Sequence, residues 1–526
     1  MSAVSFSINR KVVLCVSPPN RSTGRCGHPQ HRAWRMSALV CCTLLGMAGC
    51  ALQTYEPRPL DPALAQATQL ARRPDDAALR EAMSRLGIDT TVWPLAAWDA
   101  PELSALALAS NPELAVARAE VAVAQAAGRS ARQRANPSLE LTLEHHSAPG
   151  ASDSPWSVGV ALDTLLGDWL LGQSRRQALS DVADAQQLEA VERAAQTAWQ
   201  VHRRVRDSHR ALFDAERLAA IANETLVLQR EESVLWQRRL TLGAVSMSEV
   251  FPSQQRLAMV TQQAHQARHA VEQARSALAQ AIGLPLEQTR QLPLRFASLT
   301  RDGSVPPLSA RAPQAATPIT STEPVLEPLD MQRAALLNNI AVRIALARYA
   351  SADAAVRVEI ARQIPELSLK PGYAWDQGDH RWSLGLGFAL PLSKRNAAPI
   401  AEALARREAE AVRFGALQAQ AIAELDTARL AAEAAATQQA DAQRQADLAL
   451  ALAERTARRV EHGDTDRLER LTGRRAEIDV RRTLVEAQAA RERALAALED
   501  VVQQPLSGAA ALRFEPAPPS STSTAP

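Results

Sequence analysis

The chain repeats itself, and that limits its fold more than any other feature. Asn111 precedes Pro137 by 26 residues, and Asn339 precedes Pro365 by 26. Each proline opens a short alternating run, Pro137-Ser-Leu-Glu-Leu-Thr-Leu and Pro365-Glu-Leu-Ser-Leu-Lys-Pro. A second run beginning at tryptophan follows each, Trp156-Ser-Val-Gly-Val-Ala-Leu and Trp382-Ser-Leu-Gly-Leu-Gly-Phe. Further on, Gly243 precedes Pro285 by 42 residues and Gly463 precedes Pro505 by 42. Landmarks that recur in one order at one spacing mark an internal duplication, so each half builds the same supersecondary unit.

Each half reads helix, strand, strand, long helix, break, helix. The pattern predicts helices over 112–134, 173–240, 248–282, 331–362, 397–461 and 466–502, and a short one near 75–86. At 1.5 Å per residue the two longest would reach roughly 100 Å, a length that suits a tunnel or coiled coil. Val250, Leu257, Ala264, Val271 and Leu278 recur every seven residues, with Ser253, Val260, Ala267, Ala274 and Ala281 three further on. This is an a/d seam, and its alanines permit close approach. Phe414, Leu417, Ala421, Leu425 and Ala428 continue the pattern in the second half.

The predicted strands span 138–146, 156–165, 366–375 and 381–391. Trp382, Leu384, Leu386, Phe388 and Leu390 fall on one face, with Ser383, Gly385, Gly387 and Ala389 on the other. Leu139, Leu141 and Leu143 alternate with Glu140, Thr142 and Glu144, and Leu367 and Leu369 with Ser368 and Lys370. Apolar-out, polar-in runs of about ten residues suit a transmembrane β-barrel, and Trp156, Tyr373, Trp375 and Trp382 stand near strand ends, where an aromatic girdle belongs. Four strands cannot close a barrel, and open sheet edges are not tolerated in lipid. The chain must therefore oligomerise, and three copies would supply twelve strands. The fold class expected is an internally duplicated α+β membrane protein. It combines a long antiparallel coiled-coil tunnel with four transmembrane strands per chain, in a trimeric twelve-strand barrel.

The N-terminus looks like an export signal. Arg10, Lys11, Arg21, Arg25, Arg32 and Arg35 precede an apolar stretch, 38–48, that ends in Met47-Ala48-Gly49-Cys50. That is a basic region, a short apolar core and a small-residue cleavage site. All five cysteines lie in the first 50 residues, so the body holds no disulfide, thiolate metal site or cysteine nucleophile. The first 50 residues contain no acid, so the remainder is mildly acidic and carries no electrostatic footprint for nucleic acid. The expected organisation is a leader at 1–49, an N-terminal lipoprotein segment at 50–100, repeats at 101–299 and 329–506, a Pro/Ser/Thr/Ala linker at 300–328 and a similar tail at 507–526. No Gly-rich phosphate loop, nucleophile elbow or paired-His zinc motif is present, which excludes the usual enzyme classes and implies no cofactor. His145, His146, His202, His209 and His380 lack ligand spacing and read as solvated residues, so no metal site is expected.

With the duplication, the Asn111–Leu114 Asn-Pro-Glu-Leu opening, the strand pairs and the breaks at 242–246 and 462–465, the chain resembles the TolC-like outer-membrane efflux proteins. The Met47–Cys50 ending resembles the lipoprotein box, which implies acylation (palmitate) at Cys50. The N-terminal segment, with Trp93-Pro94 and Trp98-Asp99, looks more like the heavy-metal-exporting branch than the multidrug one. The resemblance covers about residues 100–505. It implies a homotrimer, lipid-anchored in the bacterial outer membrane, that passively conducts substrates, metal cations among them, out of the periplasm. Its partners would be a periplasmic adaptor (membrane fusion) protein and an inner-membrane pump of the RND type. The resemblance places the adaptor-contact tips at Leu242, Gly243, Ala244 and Val245 and at Gly463 and Asp464. It also points to Glu249 and Glu469 as carboxylates of the closed aperture, for which Arg256 and Arg474 are candidate partners. Read from the residues alone, both glutamates are equally well solvated carboxylates at helix starts. A type I secretion duct shares the fold, and a periplasmic coiled-coil structural lipoprotein would lack membrane strands.

Overall fold

The computed structural model describes residues 55–134, 136–147, 155–165, 173–296, 328–364, 367–376, 378–388, 396–464 and 466–503. The expected leader, Cys50, nearly all of the linker and the tail lie outside the described residues. Residues 1–65 and 66–526 cluster as separate units. In the first, 55–61 carry no regular structure, and helix α1 (Pro62–Leu70) then begins.

The second unit continues with α2 (Ala77–Arg85), α3 (Ala100–Ser110), α4 (Pro112–Ala131), β1 (Ser138–His145), β2 (Trp156–Leu165), α5 (Gln173–Thr241), α6 (Met247–Ile282) and the short α7 (Leu286–Arg290). The second half gives α8 (Pro328–Leu337), α9 (Ile340–Ala361), β3 (Leu367–Asp376), β4 (Asp379–Phe388), α10 (Ala397–Glu461) and α11 (Arg467–Val502). The predicted elements are present, with described ends shifted by up to three residues; positions 389–391 of the last predicted strand lie outside the described residues. One exception is the helix predicted over 331–362, which breaks into α8 and α9. Asn339 accepts hydrogen bonds from the N–H groups of Ala341 (2.9 Å) and Val342 (3.3 Å), and so caps a new helix where the pattern suggested continuity. The others are α1, α3 and α7, which the sequence pattern did not predict.

Helix α5, at 69 residues, runs through two layers. Its first part lies between α4 and α9, as ion pairs to both show: Arg132 to Asp184, Arg357 to Asp181 (2.9 Å) and Arg348 to Glu189 (2.7 Å). Its later part packs antiparallel on α6, and α10 packs on α11. All ten seam positions predicted on α6 are buried or half-buried, with Val250 and Leu278 fully enclosed. Phe414, Leu417, Ala421, Leu425 and Ala428 behave likewise on α10.

The two layers meet at matched junctions. Asn111 caps α4 by accepting from Glu113 N–H (2.9 Å), while its Nδ2 donates to the carbonyl of Ala281 (3.0 Å). Gly283 ends α6 at φ 85°, and a Cβ there would sit 3.1 Å from Asn111 Cα, so both dihedral and space call for glycine. In the second half Gln503 ends α11 at φ 52°, and its Oε1 accepts from Ile340 N–H (2.7 Å) next to the Asn339 cap. Gly283 and Gln503 each lie 40 residues after their tip glycine.

Beside the first junction is the main core. Leu79, Met83, Trp98, Leu103, Leu106 and Leu114 pack on Val201, Val205 and Leu212 of α5 and on Leu278 and Ile282 of α6. Trp98 bridges to Leu294, donating its N–H to Pro293 O (2.9 Å). Residues 79–98 thus pack onto the first repeat. This corrects the expectation of solvated histidines at 202 and 209. His202 Nδ1 lies 3.0 Å from Ser104 Oγ on α3, and fully buried His209 contacts Arg295 O at 3.0 Å and stacks on Phe296. Helix α3 covers the His202 ring, and the stretch after α7 covers that of His209.

Candidate channel wall and helix tips

The four strands form one antiparallel sheet in the order β1-β2-β3-β4. Pairing puts Leu141 opposite Val160, Val160 opposite Tyr373 and Tyr373 opposite Trp382. Because side chains alternate, one face carries only Leu139, Leu141, Leu143, His145; Trp156, Val158, Val160, Leu162, Thr164; Leu367, Leu369, Pro371, Tyr373, Trp375; and His380, Trp382, Leu384, Leu386, Phe388. This face is uncovered within the chain: Leu141 is 71% exposed and Leu384 72%. A continuous apolar face of this size marks an interaction surface.

The opposite face carries every charge of the strands. Lys370 pairs with Asp163 directly across β2 and β3 (2.8 Å), and Arg381 with Asp376 (2.5 Å). Glu140, Glu144 and Asp379 stand on the same face, so acids outnumber bases. Gly372, Gly385 and Gly387 on that face stand opposite Ser383, Lys370 and Ser368, whose side chains occupy the space beside them. The girdle residues Trp156, Tyr373, Trp375 and Trp382 gather at the hairpin end, away from the helices.

The two helix breaks adopt the same turn. Gly243 N–H donates to Leu240 O and Ala244 N–H to Arg239 O, both at 2.9 Å. Gly463 N–H donates to Val460 O (3.1 Å) and Asp464 N–H to Arg459 O (2.9 Å). Both glycines have positive φ, 70° and 78°, as this helix-ending turn demands. The surfaces differ: Leu242 is 75% exposed, with Met247 and Phe251 also exposed and Val245 half-buried, whereas the second tip presents His462, Asp464 and Asp466.

Glu249 and Glu469 each sit in the first turn after a tip. Ser246 N–H (2.7 Å) and Oγ (2.8 Å) both donate to Glu249 Oε2, and the backbone bond first, then the hydroxyl, hold its pKa below the ordinary value. Glu469 pairs with Arg459 on α10 (3.1 Å), and its N–H donates to the Asp466 cap (2.9 Å). The candidate partners Arg256 and Arg474 are elsewhere. Arg256 faces Glu232 at 3.9 Å, and Arg474 pairs with Glu224 (2.7 Å) and Glu477 (2.8 Å). Seven residues put Arg256 two turns from Glu249, and five put Arg474 well round the helix from Glu469.

The sequence reading missed the contact between the halves. A ladder of charge joins α5 to α11. Arg203 faces Asp500 (3.6 Å), Arg206 faces Glu499 (2.9 Å), Arg210 faces Glu492 (3.2 Å) and Arg217 donates to Gln488 (2.6 Å). Below that the sign reverses. Glu224 meets Arg474 and Arg481, Glu231 meets Arg467, and Glu232 meets Arg475 (2.7 Å). Arg239 then pairs with Asp466 (2.6 Å), tying the second tip to the end of α5. Next to this seam is a cleft of about 1530 Å³ between the coiled coils, lined in part by Arg203, Asp207, Asp214, Glu424 and Arg482. Burial raises the Asp214 pKa, against the pull of Arg217 and Arg210.

Among the described residues no group of three or more His, Cys, Asp or Glu could hold a metal ion, and no helix is long and apolar enough to cross a membrane.

Comparison with known proteins agrees with this architecture. A family model described as outer membrane efflux protein matches residues 103–284 and 332–502. No curated protein sequence matches significantly. Among solved structures, the outer-membrane channel OprN is similar at 19% identity and a TM-score of 0.61, covering 87% of this chain and 100% of that one. CusC, described with conformational changes accompanying folding and transmembrane channel formation, is similar at 17% identity and TM-score 0.59, covering 87% and 100%. The outer membrane protein VceC of Vibrio cholerae is similar at 16% identity and TM-score 0.58, covering 78% and 97%. At these identities the likeness speaks for the fold.

Proposed function

From the premise that the chain belongs to the outer membrane efflux protein family, whose members are non-enzymatic transport ducts, we propose that it is the passive exit duct of a tripartite pump. Three copies close their sheets into one twelve-strand barrel in the outer membrane. Their coiled coils continue it into the periplasm as a tunnel. Acylated Cys50 adds a lipid anchor. The tips at Leu242–Val245 and at Gly463 and Asp464 meet a periplasmic adaptor, which links the duct to an inner-membrane RND-type pump. Glu249 and Glu469 line the narrowest part of the tunnel, and the acidic inner face suits positively charged cargo, metal cations included.

One observation carries this reading: the sheet exposes a wholly uncharged face while both of its edge strands, β1 and β4, lack a partner within the sheet. Water does not favour such a face, and lipid does not tolerate such edges. Closure by further copies in a bilayer resolves both. The full-length protein should therefore fractionate with outer membranes as a detergent-resistant oligomer that heat converts to monomer. Recovery as a periplasmic species without lipid association would reject the proposal.

A further inference from the structure

The apolar face is dressed at one end only. Its last three rows at the hairpin end hold Tyr373 and Trp382, then Trp375 and His380, then Trp156 and His145. The helix end has Leu367 opposite Phe388, with no histidine. Among the described residues the two imidazoles are the only titratable groups on this face besides the Tyr373 phenol, since every described strand carboxylate lies on the other side.

Both rings are held. His145 packs edge-on to Trp156, with centroids 4.6 Å apart. Tyr373 Oη lies 2.6 Å from His380 Nδ1, and Tyr373 packs on Trp382 at 4.8 Å. If the phenol, the stronger acid, donates to Nδ1, the imidazole proton resides on Nε2. His380 is then a fixed N–H donor without needing a charge. It is an exposed residue in the row of Leu143, Val158 and Trp375, next to the hairpin end of the sheet, where the wall would pass from acyl chain to headgroup.

We propose that His145 and His380, set in this aromatic rim, bind the phosphate groups of outer-leaflet glycolipid headgroups. The inference rests on the reading of the sheet as a membrane wall. The chemistry of the face supports it, because its described residues offer two imidazole rings and no carboxylate to repel phosphate. Position supports it as well. Closure of the ring sets β4 beside β1 of a second copy, so the two kinds of imidazole line the same seam. Aromatic rings flanking a polar donor form the usual interfacial pattern, in which the ring bodies enter the acyl region and the donor meets the headgroup.

The test uses the full-length complex reconstituted in phosphatidylcholine vesicles doped with either diphosphorylated lipid A or its dephosphorylated form, with protein-retained glycolipid measured after gentle extraction. Hydrogen bonds to charged acceptors should give the wild type a roughly tenfold preference for the phosphorylated form. His145→Gln/His380→Gln should bring that preference close to one, and Tyr373→Phe, which removes the tautomer lock and little volume, should reduce it. Equal retention of both forms by the wild type, or an unchanged preference in the double variant, overturns the proposal. A parallel arm with brominated phosphatidylcholine reads the membrane wall separately. Quenching of tryptophan fluorescence in all variants upholds the wall, and its absence removes both the wall and the headgroup site.

Discussion

Glu477 offers the sharpest test of the charge ladder. Its side chain is 4% exposed, 2.8 Å from Arg474 and 3.7 Å from Arg481, and Glu224 contacts both arginines as well. Two acids and two bases are thus balanced at the α5–α11 seam. Glu477→Gln keeps the shape and leaves one net positive charge where little water reaches. Removing one partner of a buried pair costs about 3–5 kcal/mol. Here Glu224 still neutralises part of that charge, and Arg474 is 41% exposed, so about 2–3 kcal/mol is expected. The control is Asp466→Asn, which keeps the α11 cap but removes the charge facing Arg239 in a pair that is 40% and 53% exposed. It should cost under about 1 kcal/mol and lose that effect at high salt, whereas the Glu477 effect should persist. Urea unfolding of the detergent-purified protein, followed by helical circular dichroism with and without 0.5 M NaCl (a Debye length of about 4 Å), measures both. Arg481→Gln should partly rescue Glu477→Gln, with a coupling of about 1–2 kcal/mol. If Glu477→Gln costs no more than Asp466→Asn, or the cycle shows no coupling, the seam is not held by these charges.

Further outcomes follow from other parts of the chain. Cys50→Ser should abolish incorporation of radiolabelled palmitate while leaving the oligomer intact, because the proposed barrel would hold the protein in the membrane without the acyl chain; labelling that persists places the acyl chain elsewhere. Leu384→Arg, at the centre of the apolar band, should cost about 2–4 kcal/mol and reduce heat-resistant oligomer, with Leu386→Arg somewhat milder and Gly387→Arg, on the charged face, milder still. Burial, reinforced by Arg206, lowers the His202 pKa from 6.5 to about 4, and burial likewise lowers that of His209. The folded form therefore resists protonation that the unfolded form accepts, so stability is full above pH 6.5 and falls towards pH 4, by up to about 3 kcal/mol for His202. Limited proteolysis of residues 75–110 should accelerate over that window and less so in His202→Gln. Glu249→Gln/Glu469→Gln should reduce cation selectivity in planar bilayers without altering oligomer stability; unchanged selectivity makes them simple helix-start carboxylates.

What the sequence revealed was what local periodicity encodes. The strands alternate strictly, the α6 seam recurs every seven residues, and Gly243 and Gly463 punctuate long apolar-periodic runs, so each could be placed to within a few residues. Helix α3 escaped because Leu103 to Leu108 are buried on every side and show no amphipathic period. The break at Asn339 escaped because a capping asparagine inside an alanine-rich run looks like a tolerated helix residue. The α5–α11 ladder joins residues more than 220 positions apart, and nothing local announces such a pairing. A trace was nonetheless there: Arg203, Arg210, Arg217, Glu224 and Glu231 recur every seven residues on α5, and Arg467, Arg474, Arg481 and Gln488 do so on α11. The acidic end of the α5 row, Glu224 and Glu231, matches the basic row of α11, a pairing code that reading each half by itself overlooks. For Glu249 and Glu469, sequence offset gave the helix position but not the partner, since the arginines near them reach across to other helices.

The central claim is that separate chains close one barrel through β1 and β4, and edge-to-edge cross-linking tests it most directly. The body beyond residue 50 has no cysteine, so thiols placed there, one along β1 (139, 141 or 143) and one along β4 (382, 384 or 386), have no other partner in it. Oxidation of the double-cysteine variants in isolated outer membranes should yield, at the matching register, a covalent ladder that stops at three chains, while single-cysteine variants stay monomeric. A ladder that runs past three, or no cross-link at any register, would contradict the closed trimer.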